Sequence, residues 1–264
     1  VMGDLNSPLI HTQTGKRSLN VRDIKTEFSL LSSPDVVKTL QRSSGVSEGI
    51  ELMSGLYVHG GSNDENLFLI DGTPLYQVNH SLGLFSSFNS DMIKNVDFYN
   101  SGFPARYGGR LSSVIDVRTR DGDFNHFHGS FRIGLLDGSL QFEGPIRKGR
   151  TSYNIGLRRS WLDLLTRPIF AIHNKKNDKN DDDITLNYFF HDFNAKVTNI
   201  FSDRSRLSLS VYSGEDRIHT KDELKDDDIN ETELNEFNMN WGNLNAALNW
   251  EYVFSPKLFA NFTA

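Results

Sequence analysis

The most informative part of the sequence is VHGGSNDENLFLIDGTPLY at residues 58–76, followed by DMIKNVDFYNSGFPARYGGRLSSVIDVRTRDG at residues 91–122. Short apolar runs alternate here with glycine and turn residues; the runs lie at 67–70, 96–99 and 114–117. Glycine readily adopts backbone conformations that other residues adopt only rarely, so this spacing specifies the backbone tightly. The segment therefore predicts short strands joined by sharp turns.

Composition limits the choice of fold class. The chain has 264 residues, a net charge of −6 and no cysteine, so disulfide scaffolds and Cys-ligated zinc sites are excluded. A bundle of membrane helices is also excluded, because each span needs roughly 20 consecutive apolar residues. Composition leaves open a soluble β-protein and a membrane β-barrel, whose strands show apolar residues only at alternate positions. The acidic excess is concentrated in residues 215–236, and no basic stripe for nucleic acid is present.

Residues 1–122 predict a small α+β domain preceded by an extended lead-in at 1–31. Short strands are expected around residues 18–21. A helix is expected to begin at Ser33, Pro34 and Asp35, with Ser33 as the cap, and to stop by Gly45. A turn at 71–74, a second short helix at 90–95 and a strand pair at 96–99 and 113–118 complete the predicted domain, which we assign to residues 32–122.

From residue 123 to 264 the pattern changes to repeated alternation of apolar and polar residues. From residue 127 it predicts six complete antiparallel strands and the start of a seventh at 258–264. The first connection between strands is expected to be a short turn at residues 137–138. The other connections are predicted as tight turns at 146–150, 202–205 and 255–257, and as long hydrophilic loops at 162–185 and 214–238. Aromatic residues lie near several strand ends, as in the interfacial girdles of membrane barrels. A soluble β-sandwich is the alternative for this half.

The glycine-rich motifs VHGG, NLFLIDGTP and GFPARYGGR resemble the plug domain of TonB-dependent outer-membrane transporters, in particular the SusC-like receptors of Bacteroidetes. One departure is His59, where this family usually has arginine. The resemblance implies an α+β plug followed by antiparallel transmembrane β-barrel strands, as the N-terminal part of a protein whose barrel has 22 strands. It also implies the cell outer membrane, with the plug in the lumen, short turns periplasmic and long loops extracellular.

The function implied by the resemblance is active import of a glycan, peptide or chelate. TonB would pull on a segment expected upstream of Val1, and a SusD-like surface lipoprotein is a possible partner, alongside outer-membrane lipid. One alternative is a non-transporting outer-membrane binding or scaffold subunit of a surface complex. A soluble β-rich binding domain is the third possibility.

Two groups of residues are candidates for functional contacts. Tyr76, Gln77, Asn79 and His80 follow the turn at 71–74, and their aromatic, amide and imidazole groups suit a polar ligand. An ordinary surface loop is the alternative. Four arginines are expected to face the barrel lumen and to pair with inward carboxylates; they are Arg106, Arg110, Arg118 and Arg120.

No catalytic constellation or cofactor motif is recognisable. The glycine pairs at 60–61 and 108–109 lack the Lys-Ser/Thr of a phosphate loop, and no nucleophile elbow occurs. His126 and His128 lie two residues apart, but the sequence supplies no obvious third metal ligand. We therefore predict a protein that is not an enzyme and that has no metal or cofactor.

Overall fold

The computed structural model describes residues 15–26, 33–47, 49, 54–176, 183–226 and 231–264. Within these ranges the chain forms an N-terminal domain with its own hydrophobic core, followed by a large antiparallel sheet that we call the wall sheet. None of the helices in the described ranges is long and apolar enough to cross a membrane.

The N-terminal domain combines helices and strands, as predicted. Its elements in chain order are β1 (Lys16–Asn20), α1 (Val21–Lys25), α2 (Val36–Gln41), β2 (Val46–Ser47), β3 (Tyr57–Val58), β4 (Asn66–Ile70), β5 (Thr73–Pro74), β6 (Asn79–His80), β7 (Phe85–Ser86), β8 (Ile93–Tyr99) and β9 (Ser113–Thr119). The central sheet has the order β1-β8-β9-β4-β5, with β4 and β9 parallel. Strand β1, which falls within the predicted lead-in, pairs with β8.

The turn predicted at 71–74 is confirmed. Asp71 and Gly72 both have positive φ, at 49° and 90°, and Ile70 pairs with Thr73 across the reversal. Two successive positive φ angles match the twist of a two-residue hairpin, which is why glycine is favoured there. Strand β4 then lies between β5 and the parallel β9, and its apolar residues enter the core.

Two helix predictions in this domain need correction. The helix α2 begins at Val36 and not at Ser33, because Asp35 is the cap and accepts hydrogen bonds from the N–H groups of Val37 and Lys38. The helix predicted at 90–95 is absent from the described structure. Asn89 instead closes a turn by accepting from the N–H of Asp91, and β8 begins at Ile93.

The wall sheet consists of strands that follow one another in chain order. They are β10 (His128–Ile133), β11 (Asp137–Arg147), β12 (Thr151–Ser160), β13 (Asp183–Ser202), β14 (Ser205–Asp226), β15 (Glu231–Ser255) and β16 (Leu258–Thr263), with α3 (Leu162–Lys176) before β13. The sheet has seven strands and every neighbouring pair is antiparallel, as the sequence predicted. The tight turns after β11, β13 and β15 also fall where they were expected.

Three predicted connections were wrong in detail. The first return is made by residues 134–136, and Asp137 already belongs to β11. Residues 162–185 are not one loop, since α3 occupies most of them. Residues 214–238 are largely strand, because β14 and β15 run for 22 and 25 residues and pair up to Asp226 and Glu231. Polar side chains do not prevent pairing here, since each backbone group is satisfied by the neighbouring strand.

Side chains of the wall sheet alternate between an exposed apolar face and a polar face buried against the N-terminal domain. Large exposed apolar residues are Phe131, Leu140, Phe142, Leu157, Phe193, Val197, Leu209, Leu244 and Leu248. Buried polar residues are Gln141, Asn154, Arg158, Asp192, Asn194, Lys196, Asp216 and Asn249. A soluble sandwich would bury its apolar face. This inverted arrangement is that of strands with apolar residues toward lipid and polar residues toward a lumen.

Candidate functional site: the interface between the N-terminal domain and the wall sheet

The most buried polar contact of the interface centres on His80. This residue ends β6, and its side chain is 1% exposed. Its Nδ1 lies 2.6 Å from Oδ2 of Asp216 on β14, and its Nε2 lies 2.9 Å from Oδ1 of Asp192 on β13. One imidazole of the N-terminal domain therefore joins two strands of the wall.

The surroundings of His80 fix its protonation state. A neutral imidazole has one donor and one acceptor nitrogen, whereas both nitrogens here face carboxylate oxygens, which only accept. Burial alone would lower the pKa of His80, but the charges and hydrogen bonds of Asp192 and Asp216 outweigh burial and raise the pKa to about 9. His80 is therefore an imidazolium at neutral pH.

Neighbouring side chains complete the charge balance around this imidazolium. Arg158 of β12 donates from Nε to Oδ2 of Asp192 at 2.7 Å and from Nη2 to the carbonyl oxygen of Ser86 at 2.6 Å. Two cations, His80 and Arg158, thus meet two carboxylates inside the interface. The ring of Phe190 stacks on His80 with 4.4 Å between ring centres. We call His80, Arg158, Asp192 and Asp216 the His80 network.

Two tyrosines extend the His80 network along the wall. Tyr212 donates its hydroxyl to Oδ1 of Asp192 at 2.8 Å, and Tyr188 donates to Oδ1 of Asp216. The N–H of Ser81, which has a φ of 52°, also donates to Oδ1 of Asp216 at 3.1 Å. Most acceptor positions of the two carboxylates are therefore filled, as buried charges require.

A second polar cluster lies at the end of β9. Lys196 of β13 donates to the carbonyl oxygen of Thr119 at 2.9 Å, and its Nζ lies 3.6 Å from carboxylate oxygens of both Asp71 and Asp121. Burial favours the neutral form of Asp121, but Lys196 and Arg206 outweigh it and keep the pKa of Asp121 below its usual range. The end of the domain is thus tied to β13 and β14.

Further contacts join the N-terminal domain to β10, β11 and β15. Asp91 accepts hydrogen bonds from Arg132 at 2.7 Å and from Ser139 at 2.8 Å. The N–H and Oγ of Ser33 both donate to the carboxylate of Asp137. Asn243 and Asn249 of β15 contact the domain through hydrogen bonds to the backbone of Gln77 and Asp71. The contacts are mostly polar, so they resemble a wetted lumen wall more than a domain core.

A cavity of about 280 Å³ lies between the two parts beside the second cluster. Its lining includes charges of both signs from both parts, among them Lys94, Arg118, Lys196, Arg206, Asp121 and Glu251. The cavity is bordered by the cluster that ties β9 to the wall.

The four residues expected to bind a ligand are not equivalent in the structure. The side chain of Tyr76 is 78% exposed, whereas that of His80 is buried with both nitrogens paired. Gln77 contacts Asn243 through its backbone and donates from Nε2 to the carbonyl oxygen of Asn79 at 2.8 Å. Of the four, Tyr76 is therefore the one presented for direct contact, and ligand binding by the group stays a prediction.

The four arginines expected at the barrel lumen also differ in their partners. Arg120 pairs with Glu143 of β11 at 2.8 Å, across the interface. Arg118 pairs with Asp116 of its own strand, and Arg106 donates to the hydroxyl of Tyr107. Arg110 donates to the carbonyl oxygen of Gly109. A lumen role for these last three arginines stays a prediction.

The residues on the wall side of this site were not predicted from the sequence. Arg158, Asp192, Lys196 and Asp216 lie on strands whose alternate residues are apolar, for example Phe193 between Asp192 and Asn194. Charges at the inward positions of an otherwise amphipathic strand were the available signal. The residues with which these charges pair could not be identified from local sequence, because His80 and Asp216, for example, are 136 residues apart.

Comparison with known proteins agrees with this geometry. Residues 15–114 match the family described as TonB-dependent Receptor Plug Domain. The N-terminal domain is a plug domain. No curated protein matches the chain significantly.

Several solved structures are similar to this chain along most of its length. The chain is similar to the siderophore receptor PirA from Pseudomonas aeruginosa, with a TM-score of 0.52, 11% identity and coverage of 92% of this chain and 45% of that one. FpvA from P. aeruginosa, solved bound to heterologous pyoverdines, is similar with a TM-score of 0.57 and 13% identity, and the match covers 96% of this chain and 33% of FpvA. The FrpB iron transporter from Neisseria meningitidis is similar with a TM-score of 0.54 and 14% identity, and the match covers 94% of this chain and 46% of FrpB.

At these identities the likeness establishes the fold. The chain spans less than half the length of the solved structures that it matches. The fold is thus a plug domain followed by antiparallel strands that match those of TonB-dependent receptor barrels, as the sequence predicted.

Proposed function

We propose that this chain is the N-terminal part of a TonB-dependent transporter that imports a ligand across the outer membrane. The observation that carries the proposal is the wall sheet, which turns its apolar face outward and its polar face to a plug domain. Such a sheet is suited to lipid outside and to a closed, polar lumen inside. The proposal assigns a transport role and no enzymatic one.

The polar interface supports a gating mechanism for this transporter. The plug is held largely by hydrogen bonds and ion pairs, including the His80 network, and Phe190 and Tyr212 of the wall add local apolar packing. Polar contacts exchange readily for contacts with water once the interface opens, whereas a large apolar interface would resist hydration. We infer that a pull by TonB on the plug separates these pairs and widens the cavity beside Lys196.

Domain organisation and membrane orientation are part of the proposal. We assign residues 32–122 to the plug, together with β1 and α1 from the predicted lead-in at 1–31, and residues 123–264 to the first strands of the barrel. The short turns after β11, β13 and β15 would face the periplasm, and the long β13, β14 and β15 would project beyond the outer surface. Their 20, 22 and 25 residues exceed the roughly 9–11 that cross a bilayer.

The ligand and partner assignments rest on sequence motifs. The motifs at 58–61, 66–74 and 102–110 support a SusC-like subtype, for which a SusD-like surface lipoprotein would be the partner. We propose a polar ligand, a glycan, peptide or metal chelate, that contacts Tyr76 and the backbone near Gln77. A chelate agrees with the siderophore and iron named for the similar receptors.

Uptake by cells tests the transport function. Cells that express the full-length protein would be compared with a deletion strain for accumulation of labelled glycans, peptides and ferric chelates. We expect accumulation of one class to require the protein and to fall to the deletion level when TonB is removed or the proton gradient is collapsed. Binding at the surface that is indifferent to TonB would instead identify the scaffold subunit.

A further inference from the structure

The linker between β9 and β10 brings three possible metal ligands together. Asp123, His126 and His128 lie on or next to this linker, and each offers one ligand atom such that all three atoms lie within 4.8 Å of one another. The sequence pointed to His126 and His128 alone. The third member was not apparent, because Asp123 approaches the pair only through the bend of the linker.

Distances within this group fit a transition-metal ion. Nε2 of His128 lies 3.1 Å from Oδ2 of Asp123, and Nδ1 of His126 lies 4.0 Å from Oδ1 of Asp123. A tetrahedral ion with bonds of about 2.0–2.1 Å separates its ligand atoms by about 3.3 Å. Small side-chain rotations would therefore place an ion among the three groups without movement of the backbone.

The backbone holds the three residues in this arrangement. Oδ1 of Asp123 accepts hydrogen bonds from the N–H groups of Asn125 and His126, at 2.6 and 2.9 Å. The carbonyl oxygen of Phe124 accepts from the N–H of Gly149, in the turn between β11 and β12, at 2.8 Å. The linker is thus shaped by its own bonds and fixed to the wall, so little order would have to be gained on ion binding.

Access and ligand type indicate which ion would bind. The side chains of His126, His128 and Asp123 are 77%, 55% and 32% exposed, so an ion can reach them from water. Two imidazoles and one carboxylate suit Zn²⁺ and neighbouring transition metals, whereas Ca²⁺ and Mg²⁺ prefer oxygen ligands. Water would fill the fourth position, as in other open three-ligand sites.

We propose that Asp123, His126 and His128 bind one divalent transition-metal ion, with Zn²⁺ as the best match, at the junction of plug and wall. The ion would join His128, the first residue of β10, to the linker. It would thereby restrain the segment of chain that connects the plug to the wall sheet. This site shares no residue with the His80 network or the Tyr76 loop, so it stands or falls independently of the transport proposal.

Zinc titration of the full-length protein in detergent, with any affinity tag removed, tests the site. We expect the unchanged protein to bind one more equivalent of Zn²⁺ than the double variant His126→Ala/His128→Ala. Asp123→Asn keeps the side-chain oxygen that accepts hydrogen bonds from the linker backbone but removes the negative charge. We expect this variant to bind Zn²⁺ at least tenfold more weakly. The control is His173→Ala, an exposed histidine on α3, which should leave the stoichiometry unchanged.

Spectroscopy of bound Cu²⁺ provides a readout that a folding defect would not imitate. Electron paramagnetic resonance should show nitrogen couplings from two imidazoles in the unchanged protein, and should lose them in the double variant while its circular dichroism is retained. Equal zinc stoichiometry in the unchanged protein and the double variant would overturn the proposal. So would a copper spectrum that both proteins share.

Discussion

Nδ1 of His80 lies 2.6 Å from Oδ2 of Asp216, and this contact joins the plug domain to the wall sheet. The second nitrogen of the same ring faces Asp192, so neither carboxylate is left without a cation when Arg158 is included. Removal of one member of a buried ionic group leaves its partner uncompensated, at a cost of about 3–5 kcal/mol. The His80 network should therefore dominate the strength with which this plug is held.

Stability should fall with alkaline pH because of His80. An unfolded histidine has a pKa of about 6.5, and the folded network raises the pKa of His80 to about 9. The extra stability is fully present below pH 6.5 and is lost as pH rises through 9, by about 3 kcal/mol for a shift of this size. Thermal unfolding of the full-length protein in detergent at pH 6 and pH 9.5 measures the difference.

The variant His80→Gln isolates this effect from other titrations. It should unfold at lower temperature than the unchanged protein at pH 6 and should lose most of the dependence on pH between 6.5 and 9. His173→Gln, an exposed histidine on α3, is the matched control and should keep the full dependence. An unchanged pH profile in His80→Gln would refute the assignment of an imidazolium at this position.

Gly122 of the linker packs closely against the wall. A Cβ at this position would lie only 1.9 Å from the carbonyl oxygen of Tyr153. Because that oxygen belongs to β12, which pairs with two neighbours, it cannot withdraw without loss of sheet hydrogen bonds. Gly122→Ala should lower the unfolding temperature and the yield of folded protein.

Gly108→Ala is the control for this substitution. A Cβ there meets nothing within 4 Å, and the residue does not have a positive φ. This variant should behave as the unchanged protein in heat-modifiability on gels and in thermal unfolding. If Gly122→Ala is equally stable, the linker does not pack on β12 as described.

A disulfide between Gln77→Cys and Asn243→Cys should lock the plug to the wall. The amide of Asn243 contacts the backbone of Gln77 at 2.6 and 3.1 Å, so the two positions are neighbours across the interface. The 264 residues contain no cysteine that would compete for pairing. Oxidation should stop import, and a reductant should restore it.

Each single cysteine variant is the control for the crosslink and should transport under both conditions. If the crosslinked protein imports at the normal rate, the plug does not separate from β15 during transport. The gating mechanism would then need a path that leaves this contact intact.

Local sequence rules predicted much of the architecture. Alternation of apolar and polar residues was enough to count the strands of the wall sheet, and Asp71-Gly72 was enough to locate a hairpin turn. Both features depend on residues close together in the chain. The same rules failed at α3 and in the outer parts of β14 and β15, where polar composition was taken to mean loop.

The functional interface was less accessible to sequence reasoning. His80 was selected as a ligand-binding residue because an imidazole next to Tyr76 and Gln77 suits a polar ligand. Its pairing with Asp192 and Asp216 depends on how the plug is inserted against β13 and β14, and no local pattern encodes that. The same applies to Asp91 and Arg132, which meet across the interface.

Nitroxide scanning of residues 243–250 on β15, in the full-length protein in lipid bilayers, determines which face of the wall sheet contacts lipid. Positions 244, 246, 248 and 250 are exposed on the apolar face, and positions 243, 245, 247 and 249 face the plug. We predict that collisions with oxygen, which concentrates in lipid, peak at the first set, while collisions with a water-soluble nickel complex stay low there. High nickel accessibility at the first set, or loss of the two-residue period, would contradict a wall that faces lipid.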